Sequence, residues 1–225
     1  REVDRSLGLR ERKKLQTRQA IGDAALALFA ERGFDAVTVA EIARAADVSE
    51  ATVFNYFPTK ESLFYRQMQA FEASLLDAVA NRPVGESVLQ AFRRVVQEGT
   101  PRLGQEEVAE VIALAGRLVG ASPALQAREL QIVDEFTDQL GQLIAAESPS
   151  SSGRGQAWVV ANALMGAQRQ LVTFVRASVQ SGVTGPPLAR AARAEIKRLF
   201  GPLERGLAGY GVKRARGRRP APGED

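Results

Sequence analysis

Residues 38–60 read TVAEIARAADVSEATVFNYFPTK, and they place two short helices next to each other with a tight turn between them. Thr38 and Glu41 have the spacing of a capping box, in which each side chain bonds the other residue's backbone amide. Asp47 and Val48 form the turn, because Asp tolerates a left-handed backbone better than most residues. Ser49 then caps a second helix that reaches about residue 56. This arrangement is typical of a helix-turn-helix.

The second of these helices has an apolar side and a polar side. We predict that Val48, Val53 and Phe57 face inward and pack on the preceding helices. The residues left facing outward are mostly small or polar, namely Ser49, Glu50, Ala51, Thr52, Asn55 and Tyr56. Such a surface suits nucleic acid, because hydroxyls bind phosphates, small residues permit close approach, and an Asn amide can pair with adenine. Lys60 lies in the first turn of the next helix, where its charge and the helix amides predict an anion site.

The rest of the chain is helical in pattern, and strand-like alternation is absent. Ile21, Ala25 and Phe29 lie on one side of a first helix, which we place at about 12–32 and which Gly33 closes. Further helices are predicted at about 59–80, 85–98, 105–120, 123–146, 154–181 and 187–208, with a polar loop at 148–153. Pro202 is expected to end or kink the last helix. The predicted fold class is therefore all-α, with an N-terminal three-helix helix-turn-helix domain and a larger helical domain.

The composition bounds the chemistry that the chain can perform. Of its 225 residues, 45% are apolar and 25% are charged, which is ordinary for a globular protein. It contains no Cys and no His, which removes the usual zinc ligands, a nucleophile paired with His, and the commonest general base. An enzyme is therefore disfavoured, since no constellation of carboxylates or Lys has a useful spacing. No apolar run approaches a membrane span and the N-terminal residues lack a signal-peptide core, so we expect a cytoplasmic protein.

The charge distribution is a weaker guide than the net charge of +4 suggests. Residues 1–66 carry 11 Lys or Arg and 10 Asp or Glu, so the helix-turn-helix region is nearly neutral. Most of the excess lies in the basic tail at 212–225, which we expect to be disordered and solvated. Four basic residues lie just before and at the start of the first helix and, as an arm, could enter the minor groove or touch phosphate: Arg10, Arg12, Lys13 and Lys14.

The stretch from residue 20 to 64, AIGDAALALFAERGFDAVTVAEIARAADVSEATVFNYFPTKESLF, resembles the DNA-binding domain of the TetR family of bacterial transcriptional regulators. The resemblance covers roughly residues 12–70 and implies a helical effector-binding and dimerisation domain at 71–211. It implies DNA contacts, to phosphate or to base edges, at Thr38, Glu50, Ala51, Thr52, Asn55, Tyr56 and Lys60, to which the outward-facing Ser49 is added. Phe54 matches a position that is often Tyr and is expected to contribute packing only. Asp47 replaces the usual Gly of the turn.

The family also implies a homodimer on a palindromic operator, most often a repressor that a small molecule releases by binding in the C-terminal domain. No metal or other cofactor is implied, and the sequence does not identify the effector. The dimer interface is expected in the last two long helices, 154–181 and 187–208, because the first of them is apolar on two faces. Two alternatives stay open: a helical protein-interaction module without specific DNA binding, and an enzyme that uses a cavity in the C-terminal region.

Overall fold

The computed structural model describes residues 8–147, 151–207 and 212, and within these ranges it contains helices and no strands. The α-helices are α1 (Leu9–Arg32), α2 (Val39–Ala45), α3 (Glu50–Tyr56), α4 (Lys60–Phe64), α5 (Arg66–Ala80), α6 (Val88–Glu98), α7 (Glu106–Ala121), α8 (Pro123–Ala145), α9 (Ser151–Gln180) and α10 (Gly185–Leu207). A short 3-10 helix at Thr100–Gly104 follows α6. The all-α prediction is confirmed. Apart from Val212, the predicted tail at 212–225 lies outside the described residues.

The local signals around the helix-turn-helix are confirmed by the backbone and its caps. Thr38 and Glu41 form both bonds of the capping box, and the Ser49 side chain accepts from the amide of Thr52. Asp47 has φ 54°, and it alone among the described non-glycine residues has a positive φ. The Gly that is usual at this turn would adopt that conformation without the steric cost that Asp carries.

Two boundary predictions were wrong, and of the two outcomes expected at Pro202 one is excluded. The single helix predicted over 59–80 is broken at Tyr65, whose φ of −85° and ψ of 7° end α4 while its buried side chain donates to the carbonyl of Leu125 over 2.8 Å. The polar loop predicted at 148–153 is shorter, because α9 already begins at Ser151. The last helix does not end at Pro202 but continues through it to Leu207. Pro202 is exposed, so water can bond the carbonyl that loses its amide partner.

The described residues divide into two compact units. The first comprises the described residues up to Phe71 together with Glu110–Asp134, so parts of α7 and α8 join the helix-turn-helix helices. Its core contains side chains from α1 to α4 and from the α7–α8 region, including Ile21, Phe29, Phe34, Val37, Ile42, Val53, Phe57, Leu63, Leu118, Leu125 and Ile132. Two hydrogen bonds reinforce this packing. The hydroxyl of Ser122 donates to the carboxylate of Asp35 over 2.8 Å, and the hydroxyl of Tyr65 donates to the carbonyl of Leu125.

The second unit comprises Glu72–Ala109 and the described residues from Glu135 onward. In it α9 and α10 pack on each other, and Phe92 of α6 lies 6.2 Å from Phe200 of α10 between ring centroids. Arg82 is 1% exposed and forms a two-pronged pair with Glu147 while also donating to the carbonyl of Val79. Such a buried guanidinium is tolerated because its donors have partners.

No single helix among the described residues has both the length and the apolar content that a membrane span requires. Only α7 and α8 taken together have both, and that pair is bent by 108° at its junction.

We predict that Gly22→Ala lowers the melting temperature, although Ala in a helix interior is normally more stable than Gly by about 0.5–1 kcal/mol. A Cβ at residue 22 would lie 1.3 Å from Nη1 of Arg66, so the guanidinium would have to leave its site and its bond to Asp23. Thermal unfolding of single and double variants measures this. In an Arg66→Ala background the same substitution should raise the melting temperature. A decrease there as well would mean that the guanidinium is not the reason for glycine.

Candidate nucleic-acid interface

The orientation of α3 is fixed by two apolar side chains one turn apart. Val53 is 1% exposed and Phe57 is 2% exposed, and Val48 in the preceding turn packs partly buried against the same core. This confirms the predicted inward face. Because a helix rotates about 100° per residue, burial of residues 53 and 57 puts residues 51 and 55 on the opposite side and residue 54 beside them, and all three are exposed.

Most of the predicted outward residues do lie at the surface. Ser49, Glu50, Ala51 and Asn55 are exposed, whereas Thr52 and Tyr56 are half-buried. The ring of Tyr56 packs against the core of the first unit. Its hydroxyl has no hydrogen-bond partner among the described residues, so this group can still bond to another molecule.

The hydroxyls of Ser49 and Thr52 act as a pair. Their oxygens are 2.8 Å apart, and the Ser49 oxygen also accepts from the amide of Thr52. Only one of the two hydroxyl hydrogens is used in the bond between them, so the pair has one donor left over. The structure therefore brings these two predicted residues together as a single hydrogen-bonding group at the start of α3.

The side chains of Glu50 and Asn55 are exposed and have no hydrogen bond or ion pair within the described part of the chain. The free carboxamide of Asn55 offers two donors and an acceptor, which is the pattern that pairs with the major-groove edge of adenine. Glu50 offers acceptors only and would suit the amino group of cytosine.

Phe54 corrects an expectation from the sequence, which assigned this side chain to packing only. It is 48% exposed, on the same side of α3 as Ala51 and Asn55. Its spacing gave no clear signal, since it lies about 100° around the helix from Val53 but only about 60° from Phe57.

Thr38 and Glu41 hold the start of α2. The carboxylate of Glu41 accepts from the amide of Thr38 at 2.8 Å, from Arg32 at 2.7 Å, and from the hydroxyl of Thr38 at 2.8 Å. These bonds, with the Thr38 amide the largest influence, lower the pKa of Glu41 to about 2. The hydroxyl hydrogen of Thr38 is thus already used within the protein.

Lys60 ties the segment between α1 and α2 to the start of α4. Its Nζ donates to the carbonyls of Phe34 at 3.1 Å and Val37 at 3.0 Å, and it lies 4.3 Å from the ring centroid of Phe34. An ammonium group has three donors, so one is left. The capping box of α4 already occupies the amides of Thr59 and Ser62, so these two amides are not available to the anion expected at this site.

The basic residues at the N-terminus are helical and not an extended arm. α1 begins at Leu9, so Arg10, Arg12, Lys13 and Lys14 lie on its first turns and are exposed. One turn further on, the guanidinium of Arg18 lies 5.4 Å from the ring centroid of Phe57, which brings a cation to the end of α3. Across the described residues, no cluster of Asp or Glu has the arrangement of a metal site.

The lowered pKa of Glu41 predicts how its contribution to stability changes with pH. A free Glu has a pKa of about 4.3, so ionised Glu41 stabilises the fold above about pH 5, and this contribution is lost as the pH falls towards 2. Glu41→Gln keeps the shape of the capping box without the charge. The melting temperature of Glu41→Gln should fall furthest below that of the unmodified chain near neutral pH. The difference between the two melting temperatures should shrink between about pH 5 and pH 3.

Melting temperatures over this pH range test the prediction, with Glu31→Gln on the exposed side of α1 as the matched control. The control should give a difference that is small at every pH. If the difference in melting temperature between Glu41→Gln and the unmodified chain grows as the pH falls, ionised Glu41 is not the stabilising group.

Comparison with known proteins bears on this interface directly. Residues 21–66 match the family model described as bacterial regulatory proteins, tetR family. The chain is 37% identical over 145 residues to the transcriptional regulator TcmR of Streptomyces glaucescens, covering 62% of this chain and 63% of TcmR. It is 28% identical over 130 residues to the transcriptional repressor KstR of Rhodococcus jostii, covering 57% and 56%. The chain thus spans less than two thirds of the length of these curated relatives.

Solved structures extend the likeness in fold beyond the matched stretch. The structure of SmeT in complex with triclosan has a TM-score of 0.55 at 16% identity, covering 83% of this chain and 91% of SmeT. The repressor NalD of Pseudomonas aeruginosa has a TM-score of 0.51 at 22% identity, covering 85% and 96%. Both comparisons concern the fold alone. The family match at residues 21–66 includes the whole of α2 and α3 with their caps. Over residues 21–66 the chain is therefore similar to the tetR family of bacterial regulatory proteins.

Proposed function

We propose that the chain is a sequence-specific DNA-binding transcriptional regulator, acting in the cytoplasm as a dimeric repressor that a small molecule releases from its operator. The observation that carries this proposal is the outward face of α3. Its carboxamide at Asn55 is exposed and unbonded within the described residues, beside the small side chain of Ala51, while Val53 and Phe57 hold the opposite face in the core. A helix with these features suits the major groove.

The proposed contacts divide into base-reading and phosphate-binding groups. Glu50, Ala51 and Asn55 would meet base edges, since they are exposed on α3. The Ser49–Thr52 hydroxyl pair, Tyr56 and Lys60 would bind phosphate, each through the donor that it has left. Thr38 would contribute only by positioning the start of α2, because its amide and its hydroxyl hydrogen are both directed at Glu41. The proposed DNA-binding domain is residues 12–70.

We propose that two copies associate through α9 and α10, within an effector-binding and dimerisation domain at 71–211. The support is apolar surface on α9 in the second unit, where Trp158 is 55% exposed and Val159 is 62% exposed. Gly155 and Gly166 are exposed on the same helix, so another chain could approach its backbone closely. A symmetric interface would bury the same surface from each protomer.

The proposed effector is an unidentified small molecule. SmeT, which shares the fold, was solved with triclosan bound, so a protein of this architecture holds a small organic molecule. The chain is not proposed to be an enzyme, since its relatives TcmR and KstR are transcriptional regulators. The other candidate, a protein-interaction module without specific DNA binding, rests on the near-neutral charge of residues 1–66.

Selection of duplexes from a random DNA pool, with the full chain at moderate salt, tests the proposal. Recovery of a palindromic motif is the expected outcome, because a dimer presents two copies of α3 related by a two-fold axis. Retention of duplexes without any common sequence, or of none at all, would contradict specific recognition and favour the protein-interaction module.

Asn55→Ala should change the selected sequence and leave the rest of the operator unaltered. Loss of a good amide-to-adenine pair costs about 1–3 kcal/mol of discrimination at one position in each half-site. Repeating the selection with this variant measures the effect. Gln16→Ala, which removes an exposed amide on α1, is the control and should return the original motif. An unchanged motif with Asn55→Ala would remove this residue from the base-reading set.

Lys60→Met separates the two roles proposed for the lysine. Loss of the bonds to Phe34 and Val37 should lower the free energy of unfolding by about 1–2 kcal/mol. Loss of a phosphate contact should reduce the slope of log binding constant against log salt by about 0.9 per protomer. Lys14→Met, which removes an exposed charge on α1, is the control for stability. Reduced stability with an unchanged salt slope would make Lys60 a positioning residue without a DNA contact.

A further inference from the structure

Phe54 lies at one edge of the outward face of α3. Its side chain is 48% exposed, and the exposed residues Ala51 and Asn55 lie beside it. Its ring takes part in no aromatic or cation–π pair with another described residue. The other two aromatics of the helix are absorbed by the core, Phe57 completely and Tyr56 in part. Phe54 alone among these three presents its ring to the surface that would meet DNA.

Single exposed apolar side chains are common on proteins and need no function. Phe54 differs by its position, since it neighbours Ala51 and Asn55 on α3 and a duplex that contacts these two residues would come close to its ring. A phenyl ring cannot donate or accept a conventional hydrogen bond, so polar base edges or phosphates beneath it would lose water without gaining a partner. The only apolar group on a major-groove base edge is the C5-methyl of thymine.

We propose that Phe54 is a specificity-determining residue that contacts the C5-methyl group of one thymine in each half of the operator. The inference rests on the proposed DNA-binding function and deepens it by naming a base and the atom that is read. Two neighbouring side chains on α3 then read different features of the groove. Asn55 offers hydrogen bonds to a base edge, and Phe54 offers an apolar surface to a methyl group.

The chemistry also predicts what this contact rejects. Cytosine at the same place carries hydrogen at C5 and presents an amino group, so it would lose the apolar contact and leave a polar group beside the ring. Deoxyuridine differs from thymidine by the methyl group alone, which makes it the sharpest probe. A buried methyl contributes a factor of about four in affinity, so replacement in both half-sites should weaken binding about fifteenfold.

The experiment uses the full chain and the operator recovered by selection from random DNA. Each thymidine is replaced in turn by deoxyuridine, and binding is measured at one salt concentration. We expect one thymine per half-site at which the unmodified chain loses about fourfold. Phe54→Ala should bind the thymidine and deoxyuridine operators equally at that position. Phe54→Leu, which keeps an apolar group, should retain part of the discrimination and guards against a folding defect in the Ala variant.

Leu15→Ala is the matched control, because Leu15 is also an exposed apolar side chain, at 51%, but lies on α1. It should discriminate between the two operators as the unmodified chain does. If an operator is recovered but no thymine methyl affects binding, or if the methyl effect persists in Phe54→Ala, the inference is wrong while the proposed function stands. If no operator is recovered, both fail.

Discussion

Burial of Val53 and Phe57 is the constraint on which the rest of the interface depends. A seven-residue helix is too short to be stable by itself, so its register is set by the two side chains that enter the core of the first unit. Once these are fixed, the direction of every other side chain on α3 follows from helix geometry. The exposed face is therefore a product of packing, and a change in the core beneath it would rotate the whole set of outward groups.

The polar groups of the candidate interface divide into two sets, those that bond within the protein and those that are left exposed. The hydroxyl of Thr38, the carboxylate of Glu41 and two donors of Lys60 are bonded within the protein, where they fix the ends of α2 and α4. The carboxamide of Asn55 has no such bond within the described residues, so the proposed recognition would use groups that the fold does not need. Under this proposal, substitutions on α3 would change the operator preference while the caps that position the helix stay the same.

Local chemistry explains why much of the fold could be predicted from the sequence. The capping box at Thr38, the cap at Ser49 and the left-handed Asp47 each depend on residues within four positions, and all are observed. The break at Tyr65 could not be predicted in this way, because it accompanies a bond to Leu125, 60 positions away. The carbonyl partners of Lys60 are likewise distant in sequence. Helix geometry alone leaves Phe54 between the inward and outward faces, and the expectation of packing rested on its lack of the hydroxyl of the Tyr that is common at this position.

The inclusion of Leu118, Leu125 and Ile132 in the core of the first unit has a consequence for protein engineering. A chimaera that joins the first 70 residues of this chain to another protein would carry the helices that are proposed to face DNA but leave these three side chains behind. The buried surfaces of Phe34 and Tyr65 would then meet side chains selected for a different partner. Transplantable specificity in this chain is thus a property of a discontinuous module, residues 8–71 with residues 110–134, and a functional graft has to move both pieces together.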